Sequence, residues 1–265
     1  MKNFMVYLKL SIKSKLFYRT SLVLNMMSPI VVLCGQILLW RGLFELENAS
    51  NYADMSREAM FSYILIAFVL NNSLNWSTEN SLSKEIRNGT VVSKIIRPTT
   101  FLSQNIADML GGVLVQGMTY IVLIFMIFMI AAKYLFIPDI SGLLLFIASA
   151  SFGMVLRLII NDLFSLLCFF VTGYLGIAWL KNAIINFFSG ALIPIALFPS
   201  ILKLIADYLP FKYLIQVPIS VFLGELELLD VFKSYIIQTS WILFFVLMHC
   251  LIYRKIRTNL VIAGG

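Results

Sequence analysis

A chain of 265 residues with 60% hydrophobic and 12% charged side chains, a net charge of +7 and a mean hydropathy of +0.93 is not a soluble domain, which would carry about a quarter charged residues. Its long, continuously apolar runs exclude a β-barrel, whose strands alternate. Its basic residues are scattered at the ends of those runs, which excludes a nucleic-acid-binding face and leaves an all-α polytopic membrane protein, one transmembrane domain over 1–265.

Residues 1–20 read as an amphipathic helix lying on the membrane. At helical spacing Met5, Leu8, Ile12 and Leu16 form one stripe, with Lys2, Lys9 and Lys13 beside it to reach headgroups and Asn3, Tyr7, Ser11 and Ser14 opposite. Charge spread from Lys2 to Arg19, with no A-x-A site after it, speaks against a cleavable signal peptide.

Six transmembrane helices follow, at 21–43, 59–78, 105–132, 141–171, 180–198 and 232–252. The fourth is long for one crossing and holds Arg157 and Asp162; a turn near those two residues is the competing division. The bias of lysine and arginine places both termini and residues 79–103 in the cytoplasm, and the acid-rich segments 44–58 and 199–231 outside.

Residues 79–103 form the most polar loop. Glu79–Asn88 predicts a short helix with Leu82 and Ile86 toward the bundle and Lys84, Glu85 and Arg87 toward water. Gly89 is a helix stop; Val91, Val92, Ile95 and Ile96 make a second apolar element, closed by Pro98 with Arg97 held extended before it. On composition alone an ordinary charged loop fits equally well, but a tether needs no apolar pattern. Late in the chain, residues 199–231 read as a re-entrant hairpin punctuated by prolines. Ile201–Tyr208 forms a short helix there, with Lys203 and Asp207 at i,i+4. This piece is either an outer gate, with Pro194, Pro199, Pro210 and Phe211 shaping it, or a simple outer loop.

Other constellations carry less. Cys34, Cys168 and Cys250 are isolated in apolar segments, and the lone His249 sits at a span, so neither a metal site nor a catalytic dyad is expected. No phosphate-binding G-x-x-x-x-G-K-[ST] is present. Arg157 and Asp162 line a translocation path if they lie inside the membrane, or meet headgroup water if the span ends there. Asn71, Asn72 and Asn75 line a polar cavity or bond between helices, the latter being favoured. Gly111, Gly112 and Gly117 permit close helix approach.

Two motifs carry a resemblance. E-I-R-N-G-T-x-x-x-x-x-x-R-P, from Glu85 to Pro98, resembles the cytoplasmic coupling segment of type-2 ATP-binding-cassette exporter permeases. S-G-A-L-I-P-I-A-L-F-P at 189–199, L-P-F-K-Y-L-I-Q-V-P at 209–218 and F-L-G at 222–224 are similar to that family's outer excursion. The similarity covers nearly the whole chain and is strongest to small permeases that act as pairs of related, non-identical subunits. Thr172–Gly173–Tyr174 departs from the basic, aromatic turn common there.

The resemblance implies a transport subunit, not an enzyme, in a bacterial cell membrane. Its partners would be ABC ATPase subunits, a second permease and membrane lipid. It would hold no cofactor of its own, ATP and Mg residing on the ATPase. The coupling residues it implies are Glu85, Ile86, Arg87, Gly89, Val91, Arg97 and Pro98. Of these Glu85, Arg87 and Arg97 would make rim charge pairs, and Ile86 and Val91 apolar anchors in the ATPase groove. The substrate is expected to be hydrophobic or amphipathic. A membrane scaffold or immunity-type protein without an ATPase is the alternative; a secondary carrier would need paired ion-coupling residues that the spans do not supply.

Overall fold

The computed structural model describes residues 2–17, 19–46, 51–52, 55–74, 79–97, 99–131, 135–171 and 174–259. The described chain is nearly all helical. Its helices are α1 (Lys2–Phe17), α2 (Arg19–Leu46), α3 (Arg57–Leu74), α4 (Glu79–Arg87), α5 (Val92–Ile95), α6 (Phe101–Ala131), α7 (Ile140–Ser165), α8 (Tyr174–Phe188), α9 (Ser200–Tyr208), α10 (Gln216–Phe222) and α11 (Leu228–Asn259). The one departure from an all-α reading is a two-stranded hairpin before α3, β1 (Asn51–Tyr52) and β2 (Met55–Ser56), antiparallel with Tyr52 opposite Met55.

Among the described residues four stretches are long and apolar enough to cross a membrane: Met27–Glu45, Phe101–Leu123, Ile140–Phe169 and Leu228–Arg257. Their outward faces are bare hydrocarbon, as lipid requires: Val31 on α2, Ile121 on α6, Leu144 on α7 and Leu247 on α11 are all exposed. The fourth predicted span does not break near Arg157. α7 runs through it unbroken and tightens into a 3-10 turn at Leu166–Phe169, because no glycine or proline interrupts the ladder there. Asp139 caps its start, accepting from Gly142 N at 3.0 Å.

The fifth helix begins earlier than the sequence pattern suggests, at Tyr174, and ends at Phe188 where Gly190 takes φ +82. The Tyr63 hydroxyl reaches across from α3 to Gly190 O (2.7 Å) and Gln216 Oε1 (2.6 Å). No side chain fits at Gly190, since a Cβ would lie 2.6 Å from the Tyr63 hydroxyl. The segment after it nests against α7 and α11: Gly153 brings α7 onto the backbone of Tyr213 and Leu214, and Gln238 Nε2 donates to Tyr213 O at 2.9 Å.

Within the proline-punctuated segment, α9 matches the predicted short helix almost to the residue, with Pro199 capping its start. The Lys203–Asp207 pair does not form; Asp207 instead meets Lys212 at 2.7 Å, on the 3-10 turn Pro210–Leu214 that folds back toward it. Pro194 and Pro210 are buried, Phe211 is half-buried and Pro199 is exposed.

The helices sort the chain into two ends. α1, the α4–α5 loop and the last turns of α11 gather at one; the hairpin, α9 and α10 lie at the other. α1 lies along α6 by its polar face. Ser11 Oγ donates to Asp108 Oδ1 (2.8 Å), and Lys15 Nζ reaches the same carboxylate (2.6 Å). Gly111 makes room for this contact, since a Cβ there would stand 2.7 Å from Ser11 Cβ. The apolar stripe, including Met5 and Leu16, is left facing outward.

Candidate functional site

The α4–α5 loop is built from the amphipathy of nine residues. In ENSLSKEIR, Glu79, Leu82, Ser83 and Ile86 fall on one face, and Ser81, Lys84 and Arg87 on the other. The helix stops where predicted: Asn88 N donates to Lys84 O (3.0 Å) and Gly89 N to Ile86 O (3.1 Å) as Gly89 enters the left-handed region at φ +70. Val91 N then reaches Glu85 O at 3.2 Å, and α5 begins one residue later. Across this turn Lys94 Nζ meets a Glu85 carboxylate oxygen at 2.8 Å, and Gln104 Nε2 donates to Lys94 O at 3.0 Å, fastening the loop to α6.

Ile86 and Val91 face the chain's own interior. Val91 is 4% exposed and packs with Leu82, Phe101, Leu166, Tyr174 and Ile256, and Ile86 packs against that cluster. Burying them against the chain's own helices removes their apolar surface from water without any partner. Glu85 is likewise engaged within the loop by Lys94. The exposed face is therefore Ser81, Lys84, Arg87, Asn88, Thr90 and Ser93, polar and basic. Arg97 is exposed on the far side of the turn, its guanidinium 5.8 Å from the ring centroid of Tyr7 on α1. Pro98 lies outside the described residues.

Beneath the loop sits a buried ionic cluster. Glu79, the first residue of α4, pairs with Lys181 of α8, and Lys181 Nζ donates also to Asn161 Oδ1 of α7 at 3.0 Å. Arg157, one turn along α7 and 1% exposed, is within electrostatic reach of Glu79 and Lys181. Next to it on α7, Asp162 takes Asn105 Nδ2 of α6 at 2.8 Å and lies 2.6 Å from His249 Nδ1 of α11. Arg157 and Asp162 are thus enclosed in the interior of the described chain. Asn71 is half-buried on α3, and Asn75 lies outside the described residues. Asn72 bonds within its own helix, to Phe68 O at 2.8 Å.

Sequence reading missed Glu79, Lys181, Asn105 and Asp108 as structural polar groups. Lys181 looks like one more lysine at a span end, and Glu79 like the first acid of a loop. The available signal was an acid opening an amphipathic helix on its apolar face.

The described residues hold no cluster of three or more metal-binding side chains. The α4–α5 loop, basic outside, is tied to α8 by the Glu79–Lys181 pair, through Lys181 to Asn161 of α7, and to α6 by Gln104 donating to Lys94 O.

A family model described as ABC-2 family transporter protein matches residues 30–264. No curated protein matches the chain.

Proposed function

The chain belongs to the ABC-2 family of transporter proteins, a membrane component of transport; from that premise we propose that it is the permease subunit of an ATP-driven exporter. It works with a second, related permease chain and two ATPase subunits that hold ATP and Mg. α2, α3, α6, α7, α8 and α11 cross the bacterial cell membrane, the α4–α5 end facing the cytoplasm and the Pro194–Pro210 segment closing the outer end. The fifteen residues of α8 reach about 22 Å, short of the ~30 Å hydrocarbon core, and the turns after Phe188 complete that crossing. The observation that carries the reading is the α4–α5 loop. It buries Leu82, Val91 and Glu79 in the bundle and presents Lys84, Arg87 and their polar neighbours outward, a rigid basic surface suited to an acidic groove. A scaffold would have no need to tie that surface to α8 by a buried ion pair. An apolar crevice of about 450 Å³, lined by Leu65, Phe136, Phe146 and Phe222, supports a hydrophobic or amphipathic substrate.

The test is purification from native membranes. The unaltered permease should bring with it a vanadate-sensitive ATP-hydrolysing subunit, and Lys84→Glu with Arg87→Glu should lose that subunit while inserting and folding normally. Normal ATPase recovery on the double variant contradicts the reading.

A further inference from the structure

We infer that the crevice between the α5–α6 link and the last turns of α11 binds the headgroup of an anionic phospholipid. It has a volume of about 950 Å³ and is lined by Arg97, Arg254 and Arg257 with Thr99 and Thr100; no acidic side chain is among its lining residues. All three arginines are exposed. Guanidinium groups suit a phosphate because they offer it two parallel N–H donors in one plane.

The neighbouring residues distinguish a lipid from a free anion. On α11, Leu243, Leu247 and Leu251 form a stripe at four-residue spacing, 59%, 64% and 68% exposed. Arg254 continues that face three residues on, and Arg257 three residues further. The helix surface passes from bare hydrocarbon to guanidinium within about one 5.4 Å turn, the same order in which a leaflet passes from acyl chain to phosphate. The facing wall repeats the pattern: Ile96 is 76% exposed beside Arg97. A free anion would use the arginines alone; a phospholipid uses both the arginines and the apolar lip. Basic pockets at the cytoplasmic ends of membrane helices have this character generally. None of Ser81, Lys84 and Arg87 lines the crevice, so it is separate from the face proposed for the ATPase. The inference rests on the proposed topology only in placing the lipid in the cytoplasmic leaflet.

The experiment is native mass spectrometry of the purified full chain in a neutral maltoside detergent, titrated with phosphatidylglycerol or phosphatidylcholine. Phosphatidylglycerol should be retained at about tenfold lower concentration or better. Arg97→Gln, Arg254→Gln and Arg257→Gln together should abolish that preference, and Arg257→Gln alone should weaken it about fivefold. A charge-matched control, Arg41→Gln with Lys203→Gln and Lys233→Gln, none of which lines the crevice, should keep it, and millimolar inorganic phosphate should not displace the lipid. Equal retention by the triple arginine variant, equal loss in the control, or displacement by inorganic phosphate overturns the inference. No ATPase takes part, so loss of lipid binding leaves the coupling reading intact, and loss of ATPase docking leaves this one intact.

Discussion

Lys181 and Glu79 meet with side chains 1% and 5% exposed, so each depends on the other for its charge. Removing one partner of such a pair leaves an uncompensated ion, at a cost of about 3–5 kcal/mol. Lys181→Met should therefore destabilise the permease by that order, whereas Lys181→Met combined with Glu79→Leu should recover most of the loss, as read by chemical denaturation in detergent. Two glycines make a second contrast. Gly89 and Gly190 both have positive φ, but a Cβ at Gly89 meets nothing within 4 Å and one at Gly190 meets Tyr63 and Gln216. Gly89→Ala should cost about 1–2 kcal/mol from backbone alone; Gly190→Ala should cost clearly more, since it also pushes the Tyr63 bond apart. Glu225 adds a pH dependence. Burial raises its carboxyl above the usual range, partly offset by the Ser220 hydroxyl donating to it at 2.7 Å. A raised carboxyl is penalised when ionised, so the cost is complete above its folded pKa and gone below the unfolded value of about 4.3. Glu225→Gln should raise the melting temperature at pH ~8 and leave it unchanged at pH ~3, where the carboxyl is neutral in both folded and unfolded chains.

At the scale of elements, α4 and α5 behave as one unit because Glu85 and Lys94 close the turn between them. Glu85→Lys alone should loosen the loop and lower ATPase retention; the swap Glu85→Lys with Lys94→Glu should restore both. Were Glu85 paired with the ATPase instead, the swap would not rescue. α1 is held on α6 by a different device, the gap above Gly111. Gly111→Val should displace α1 and expose the 1–17 segment to protease and hydrogen exchange, without unfolding the spans. The sequence made α4, its glycine stop and α9 legible, because amphipathy and glycine or proline punctuation are local signals. It did not reveal which face of α1 packs inward. Apolar periodicity marks the buried face in water, but here Met5 and Leu16 are exposed and Ser11 is buried against α6.

For the molecule as a whole, hydropathy carried the class, a nearly all-helical membrane protein. It could not carry the centre. Glu79, Arg157, Asn161, Asp162, Lys181 and His249 come from four elements, and only folding brings them together; in the sequence each looks like topogenic charge or an isolated polar residue. The coupling residues divide along the same line. Arg87 facing outward and Ile86 facing the bundle were readable, whereas Val91 and Glu85 turn inward because the chain itself supplies their partners. The two-ended arrangement predicts that, in a cysteine-free background, a cysteine at position 203 is labelled by an impermeant thiol reagent in intact cells and one at position 94 only after permeabilisation.

The central claim is that the outer face of α4 touches the ATPase during transport. Arg87→Cys in a cysteine-free chain places a thiol on that face without disturbing the Glu79–Lys181 or Glu85–Lys94 pairs beneath it. Photo-crosslinking from this cysteine in membranes should join the permease to the ATP-hydrolysing subunit, with a yield that changes between ATP and vanadate-trapped states. A control thiol at Leu247, on the lipid-facing side of α11, should give no such product. An Arg87 crosslink to lipid or to nothing, with the ATPase present and active in the same membranes, would contradict the account.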